Sequence, residues 1–169
     1  MDRRVLHKLS YGMYVVSSVR RGKLNGQIAN TVFQITSKPA RVAISINKEN
    51  LTYEYIKDSG VFSVSILSTE AQFKFIGLFG FRSGRDVDKF DNLKYKIGVT
   101  GAPIVLEHTL GYIEAKVVDS MNVGTHTLFI GEVVDADFVE EGTPMTYDYY
   151  HNVVKGKTPP KAATYIGGS

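Results

Sequence analysis

The sequence predicts a mainly β domain closed as a barrel, with a few short helices. Three observations carry this. Five or six apolar, β-branched runs recur along the chain with polar or Gly-containing turns between them. Only three short stretches show helical spacing. The chain has 169 residues, 43% hydrophobic and 22% charged, an ordinary balance for one domain spanning 1–169 around one core.

Residues 13–19 form the first predicted strand. Residues 24–35 form the second, joined to it across Arg20-Arg21-Gly22-Lys23 as a hairpin. Residues 42–46 alternate between Pro39 and Asn47, and residues 61–67 alternate in the same way. Residues 110–118 and 127–134 are two more strands, with a polar, Gly-containing turn over 119–126. A short helix is expected over 52–59, ended by Gly60. A second over 70–79 places Phe73, Ile76 and Phe79 on one face, and a third spans 147–154. Gly156 and Pro159-Pro160 then force an extended tail.

Composition excludes several chemistries. There is no cysteine, so disulfides, thiolate catalysis and sulfur-ligated metal centres are out. Redox chemistry would need a bound organic cofactor or a non-thiolate metal. His7, His108, His126 and His151 are scattered and form no ligand pair, so no metal site is expected. Residues 1–10 are charged with no apolar stretch after them, and no run approaches the roughly 18 apolar residues of a membrane span. A cytoplasmic protein without a membrane contact is the expectation. A net charge of +3 does not argue for nucleic acid. Gly156-Lys157-Thr158 is not a phosphate loop, because the first glycine of that motif would fall at His151. No G-x-G-x-x-G follows a strand, so a Rossmann domain is absent.

Four segments can carry chemistry. Asn25-Gly26-Gln27-Ile28-Ala29-Asn30-Thr31 offers uncharged donors and acceptors among small residues, which suits a flavin ring; an ordinary hairpin strand with a polar face is the alternative. Asn47-Lys48-Glu49-Asn50-Leu51-Thr52 opens a helix, where free N–H groups, Lys48 and Thr52 suit a phosphate, or where Thr52 simply caps. The segment 80–90, with Arg82, Ser83 and Lys89, can hold a phosphate or cover a ring, or be an ion-paired surface loop. His126 sits where a Gly-flanked turn enters a strand; it can meet a ligand or a proton near neutral pH, or be a turn residue.

The order of these segments resembles the flavin reductase-like family with the FMN-binding split barrel. The likeness runs through Tyr11-Gly12-Met13-Tyr14-Val15-Val16, then 25–31, Ser45-Ile46-Asn47-Lys48, Ser59-Gly60-Val61-Phe62-Ser63-Val64, 83–90, Gly101-Ala102-Pro103-Ile104 and 124–133. It covers about residues 5–165. Tyr147-Asp148-Tyr149-Tyr150-His151 and Lys155-Gly156-Lys157-Thr158-Pro159 resemble the branch holding the archaeal ferric reductase and rubredoxin-associated flavin reductase modules.

The resemblance implies a six-stranded antiparallel Greek-key split barrel and a homodimer with one FMN per subunit near the interface. It implies that Gln27, Ile28, Ala29, Asn30 and Thr31 line the flavin ring. Asn47, Lys48 and Thr52 would hold the phosphate, helped by Arg82, Ser83 and Lys89. His126 would stand beside the nicotinamide of NAD(P)H, although Thr125 replaces an acidic residue found before it in some relatives. The implied activity is hydride transfer from NAD(P)H to flavin, with electrons passing on to free flavin, ferric chelates or a small redox protein. The alternative is a flavoredoxin-like electron carrier with little NAD(P)H activity.

Overall fold

A computed structural model describes residues 1–166. After a 3-10 turn at Arg3–Lys8, β1 (Tyr14–Arg20) and β2 (Lys23–Ala29) form the expected hairpin. Its two-residue turn, Arg21 and Gly22, takes positive φ at both positions, the geometry that matches strand twist. There follow β3 (Val32–Ser37), β4 (Ala40–Asn47), α1 (Leu51–Ser59), β5 (Val61–Leu67) and α2 (Phe73–Gly80). A small hairpin, β6 (Tyr95–Ile97) and β7 (Pro103–Val105), leads into the long pair β8 (Thr109–Asn122) and β9 (His126–Phe138), and α3 (Tyr147–Asn152) comes last.

Seven strands form one antiparallel sheet in the order β2-β1-β5-β8-β9-β4-β3. The two outermost strands, β2 and β3, are consecutive in the chain, joined by Asn30 and Thr31 alone. Three Cα steps reach at most about 11 Å. The sheet therefore has to curl until its edges meet at that link, which makes it a barrel split along one seam.

The strand count differs from six because the predicted 24–35 strand is two strands. The chain leaves one edge of the sheet at Asn30 and joins the other at Val32. The helices stand close to expectation, with α1 ended by Gly60 in the left-handed conformation at φ 69°. The 119–126 turn is shorter than expected, since β8 and β9 run on to Asn122 and His126. The hairpin β6–β7 had no alternating pattern long enough to announce it.

Strand alternation divides the core in two. Val16, Ile44, Ile46, Phe62, Val64, Ala115 and Phe129 fill one cluster, closed by Ile56 of α1. Val15, on the other face of β1, packs with Phe75, Ile76 and Phe79 of α2 and with Met13, Met145 and Tyr150. Both faces of β1 are thus covered, and four consecutive residues of it are buried. The second cluster fixes α2 and α3 near the seam, where the polar ends of β2, β4 and β9 emerge.

Candidate functional site

A cavity opens where β2 ends, β4 ends and β9 begins. Gln27, Ile28, Ala29 and Asn30 form one wall, Ser45, Asn47 and His126 a second, and Gly80, Phe81, Tyr147 and Tyr150 a third. Register explains the second wall, because Asn47 and His126 are direct cross-strand partners. The last part of the chain, from Lys157 to Ala163, covers the opening and leaves a cavity of about 40 Å³. That is room for about three water molecules.

The lining is rich in amides. Gln27 Oε1 is buried and has no hydrogen-bond partner. A buried acceptor left unpaired costs about 1–3 kcal/mol, so a donor belongs against it. Asn30 Nδ2 donates to Thr164 Oγ1 at 2.8 Å, while its Oδ1 accepts from Thr31 Oγ1 at 3.0 Å. Asn47 Nδ2 donates to the Lys161 carbonyl at 3.3 Å, and its Oδ1 accepts from the Glu49 N–H at 3.0 Å. Ala29 is buried and small, and it brings backbone to the cavity surface. Among the described residues, no carboxylate lines the cavity.

His126 is half-buried at the cavity edge. Thr125 Oγ1 lies 2.8 Å from its Nδ1. Burial lowers its pKa below the usual imidazole value, and the nearby Lys161 backbone offsets part of that. The net shift favours the neutral form of the ring.

Beside the cavity, the start of α1 meets the 81–90 loop. A Cβ on Gly84 would lie 2.0 Å from Asn25 Oδ1 and 3.1 Å from Leu51, so only glycine lets the loop approach this closely. Arg85 holds the loop to α1 through Glu54 at 2.6 Å. Asn50 is the N-cap of α1 without a side-chain cap bond, and Lys48 Nζ bonds Asn122 Oδ1.

The structure therefore brings Gln27, Ile28, Ala29, Asn30, Asn47 and His126 to one cavity. It does not bring the other sequence candidates there. Thr31 lies in an adjoining groove with Asn30, Val32 and Phe33. Thr52 is buried, neither capping nor open to a ligand, and its Oγ1 accepts from Asn25 Nδ2 at 2.9 Å. Lys89 is also buried: its ammonium donates to the carbonyls of Gly26 at 2.8 Å and Phe79 at 3.3 Å. Burial pushes its pKa down to about 8. Lys48, Arg82 and Ser83 stay outside the cavity, on the side of α1 and its facing loop. Sequence reasoning missed Tyr147, Tyr150 and the tail as lining, while Phe81 belongs to the 80–90 segment it offered as a cover for a ring. The run of tyrosines at 147–150 was the available signal. Among the described residues, no group of three metal-ligating side chains occurs.

The arrangement offers neutral donors and acceptors, aromatic surfaces and one imidazole. Its hydroxyl–imidazole contact, Thr125 on His126, is between sequence neighbours. It suits a planar heteroaromatic ligand with ring carbonyls and ring N–H groups.

The profile of the family described as flavin reductase like domain matches residues 6–156. A ferric-chelate reductase (NAD(P)H) of Archaeoglobus fulgidus is 51% identical over 166 residues, covering 98% of both chains. A high molecular weight rubredoxin of Moorella thermoacetica is 48% identical over 168 residues, 99% of this chain and 73% of that one. Among solved structures, flavin reductase HpaC complexed with NADP+ superposes with a TM-score of 0.74 at 27% identity, covering 86% of this chain and 90% of that one.

Proposed function

The chain belongs to the flavin reductase-like domain family, and we propose that the cavity at the ends of β2, β4 and β9 is its flavin and nicotinamide site. The chain is an NAD(P)H:flavin oxidoreductase with FMN as its cofactor. The single observation carrying the site assignment is the unpaired, buried Gln27 Oε1 among amide side chains. An isoalloxazine ring presents the N–H that this acceptor lacks and the carbonyls that Asn30 and Asn47 can serve as donors.

Bound FMN supplies hydride acceptance and one- or two-electron release, chemistry no side chain here provides. The chain's own part is binding and orientation. Ala29 leaves space for a ring against the backbone. Lys48 and Arg82, with the first N–H groups of α1, receive the phosphate; Thr52 shapes that corner through Asn25, and Lys89 braces it from beneath. His126, held by Thr125, positions the nicotinamide. The aromatic wall of Phe81, Tyr147 and Tyr150 keeps water from the transferring hydride.

The full-length likeness to a ferric-chelate reductase supports ferric chelates as acceptors. The likeness to a rubredoxin-named protein supports a small redox protein as a second one. A homodimer is supported by edge strand β3, whose Phe33 and Ile35 are exposed beside the groove lined by Tyr11, Val32 and Phe33. No helix among the described residues is long and apolar enough to cross a membrane; a cytoplasmic location is part of the proposal. The whole chain, 1–169, acts as one such domain.

The test is turnover of the FMN-loaded protein with NADH and NADPH, using ferric citrate, free riboflavin and reducible rubredoxin as acceptors. Rapid ferric reduction is the expected result. Flavin that turns over with none of these acceptors contradicts the reading.

A further inference from the structure

The segment 157–164 lies across the cavity, and its two halves are held differently. The first half is anchored. Tyr150 Oη donates to the Lys157 carbonyl at 3.1 Å, and Thr158 Oγ1 bonds His151 Nε2 at 3.1 Å and the Tyr147 hydroxyl. Gly156 presses on Tyr150 so closely that a Cβ would meet the ring at 1.9 Å.

The second half is only docked. No residue from 159 to 166 is buried. Its ties are the Thr164 hydroxyl, which accepts from Asn30 and donates to the Tyr147 hydroxyl at 3.3 Å, the Lys161 carbonyl on Asn47, the Lys161 backbone beside His126, and an exposed Lys161–Glu49 ion pair at 3.4 Å. Exposed ion pairs of this kind hold weakly. The groups it engages are the amides and the imidazole that the proposed site needs for its ligands. The segment thus holds hydrogen-bonding positions on Asn30 and Asn47 that a bound ring would use.

Resting on the flavin reading above, we propose that residues 159–164 form a displaceable strap, an intramolecular stand-in that pairs Asn30, Asn47 and His126 in the unloaded chain and leaves when flavin enters. The hinge lies just after the Tyr147–Thr158–His151 anchor. Flavin affinity is then reduced by the fraction of molecules with the strap docked. A strap docked in about nine of ten molecules weakens FMN about tenfold.

Two measurements test this. Trypsin cleavage after Lys161 is followed in the full chain, with and without saturating FMN. FMN affinity is compared, by flavin fluorescence quenching, between the full chain and a chain ending at Pro160, which keeps the anchor. The expected results are cleavage accelerated on the order of tenfold by FMN and an affinity about tenfold tighter in the shortened chain. Cleavage that FMN leaves unchanged or slows, or an affinity the truncation does not alter, overturns the strap while leaving flavin binding intact. If neither chain binds FMN, the flavin reading fails and the strap with it. Should the shortened chain not fold, the cleavage result on the full chain decides alone.

Discussion

Segments 25–31 and 80–90 are both polar, both contain glycine, and both read in the sequence as ligand-binding. They use their polar atoms in opposite directions. On β2, the consecutive residues Gln27, Ile28 and Ala29 line the cavity, and the strand's end delivers Asn30 to the same place. In the 80–90 loop, the backbone has no ladder to satisfy its neighbours, and the one buried cation turns inward to cap the carbonyls of Gly26 and Phe79. A strand leaves side chains free to meet a ligand because its backbone bonds are already made. A loop packed against an edge strand and a helix end spends its buried cation on the carbonyls of those two elements.

The sharpest way to break that comparison is Lys89→Ala. Two carbonyls lose their donor at once, each costing about 1–3 kcal/mol, so a loss of about 2–5 kcal/mol in urea denaturation is expected. The ratio of FMN to riboflavin affinity should hardly move. A lost FMN preference with unchanged stability would make Lys89 a phosphate ligand instead. Linkage adds a pH signature. Its folded pKa of about 8 lies below the ordinary lysine value of 10.5, so the unfolded chain binds the extra proton between them. Stability relative to Lys89→Met is therefore expected to rise from pH 8 to 10.5.

His126→Ala comes next. Loss of nicotinamide orientation is expected to slow flavin reduction on the order of 100-fold, while dithionite reduces the bound flavin normally. Because burial lowers the histidine's pKa, the wild-type rate should inflect below pH 6.5, and the variant should show no inflection there. Stopped-flow reduction across pH 5–8 measures both.

Smaller effects separate ring from phosphate. Lys48→Ala is expected to weaken FMN about tenfold and riboflavin little, the loss of one charge-assisted contact. Gln27→Ala is expected to weaken both flavins alike, by a few-fold to about tenfold, without lowering the stability of the flavin-free chain, because the deleted acceptor is buried without a partner. Fluorescence titration with both flavins distinguishes the two patterns.

What the sequence made legible follows from periodicity and turn chemistry. β5 at Val61–Leu67 and the Gly60 stop of α1 stand where alternation and a lone glycine put them. The His126 position was legible as a strand start behind Gly124. The division of 24–35 into β2 and β3 was not, since no Gly or Pro stands at Asn30-Thr31 to mark a break and only the sheet's closure shows that the chain changes edges at Asn30. The inward turn of Thr52 was hidden for a related reason: its partner, Asn25, lies 27 residues away. The tail had no readable period at all. Its place over the cavity depends on single hydrogen bonds to residues more than 100 positions earlier.

Anaerobic mixing of the FMN-loaded protein with NADPH, and separately with NADH, tests the central assignment most directly. Loss of the flavin's yellow absorbance within the time of a catalytic turnover, slowed about 100-fold in His126→Ala, is the predicted result. A flavin that stays oxidised with both nucleotides yet bleaches at once with dithionite would contradict it, leaving a chain that binds FMN at this site without taking hydride there.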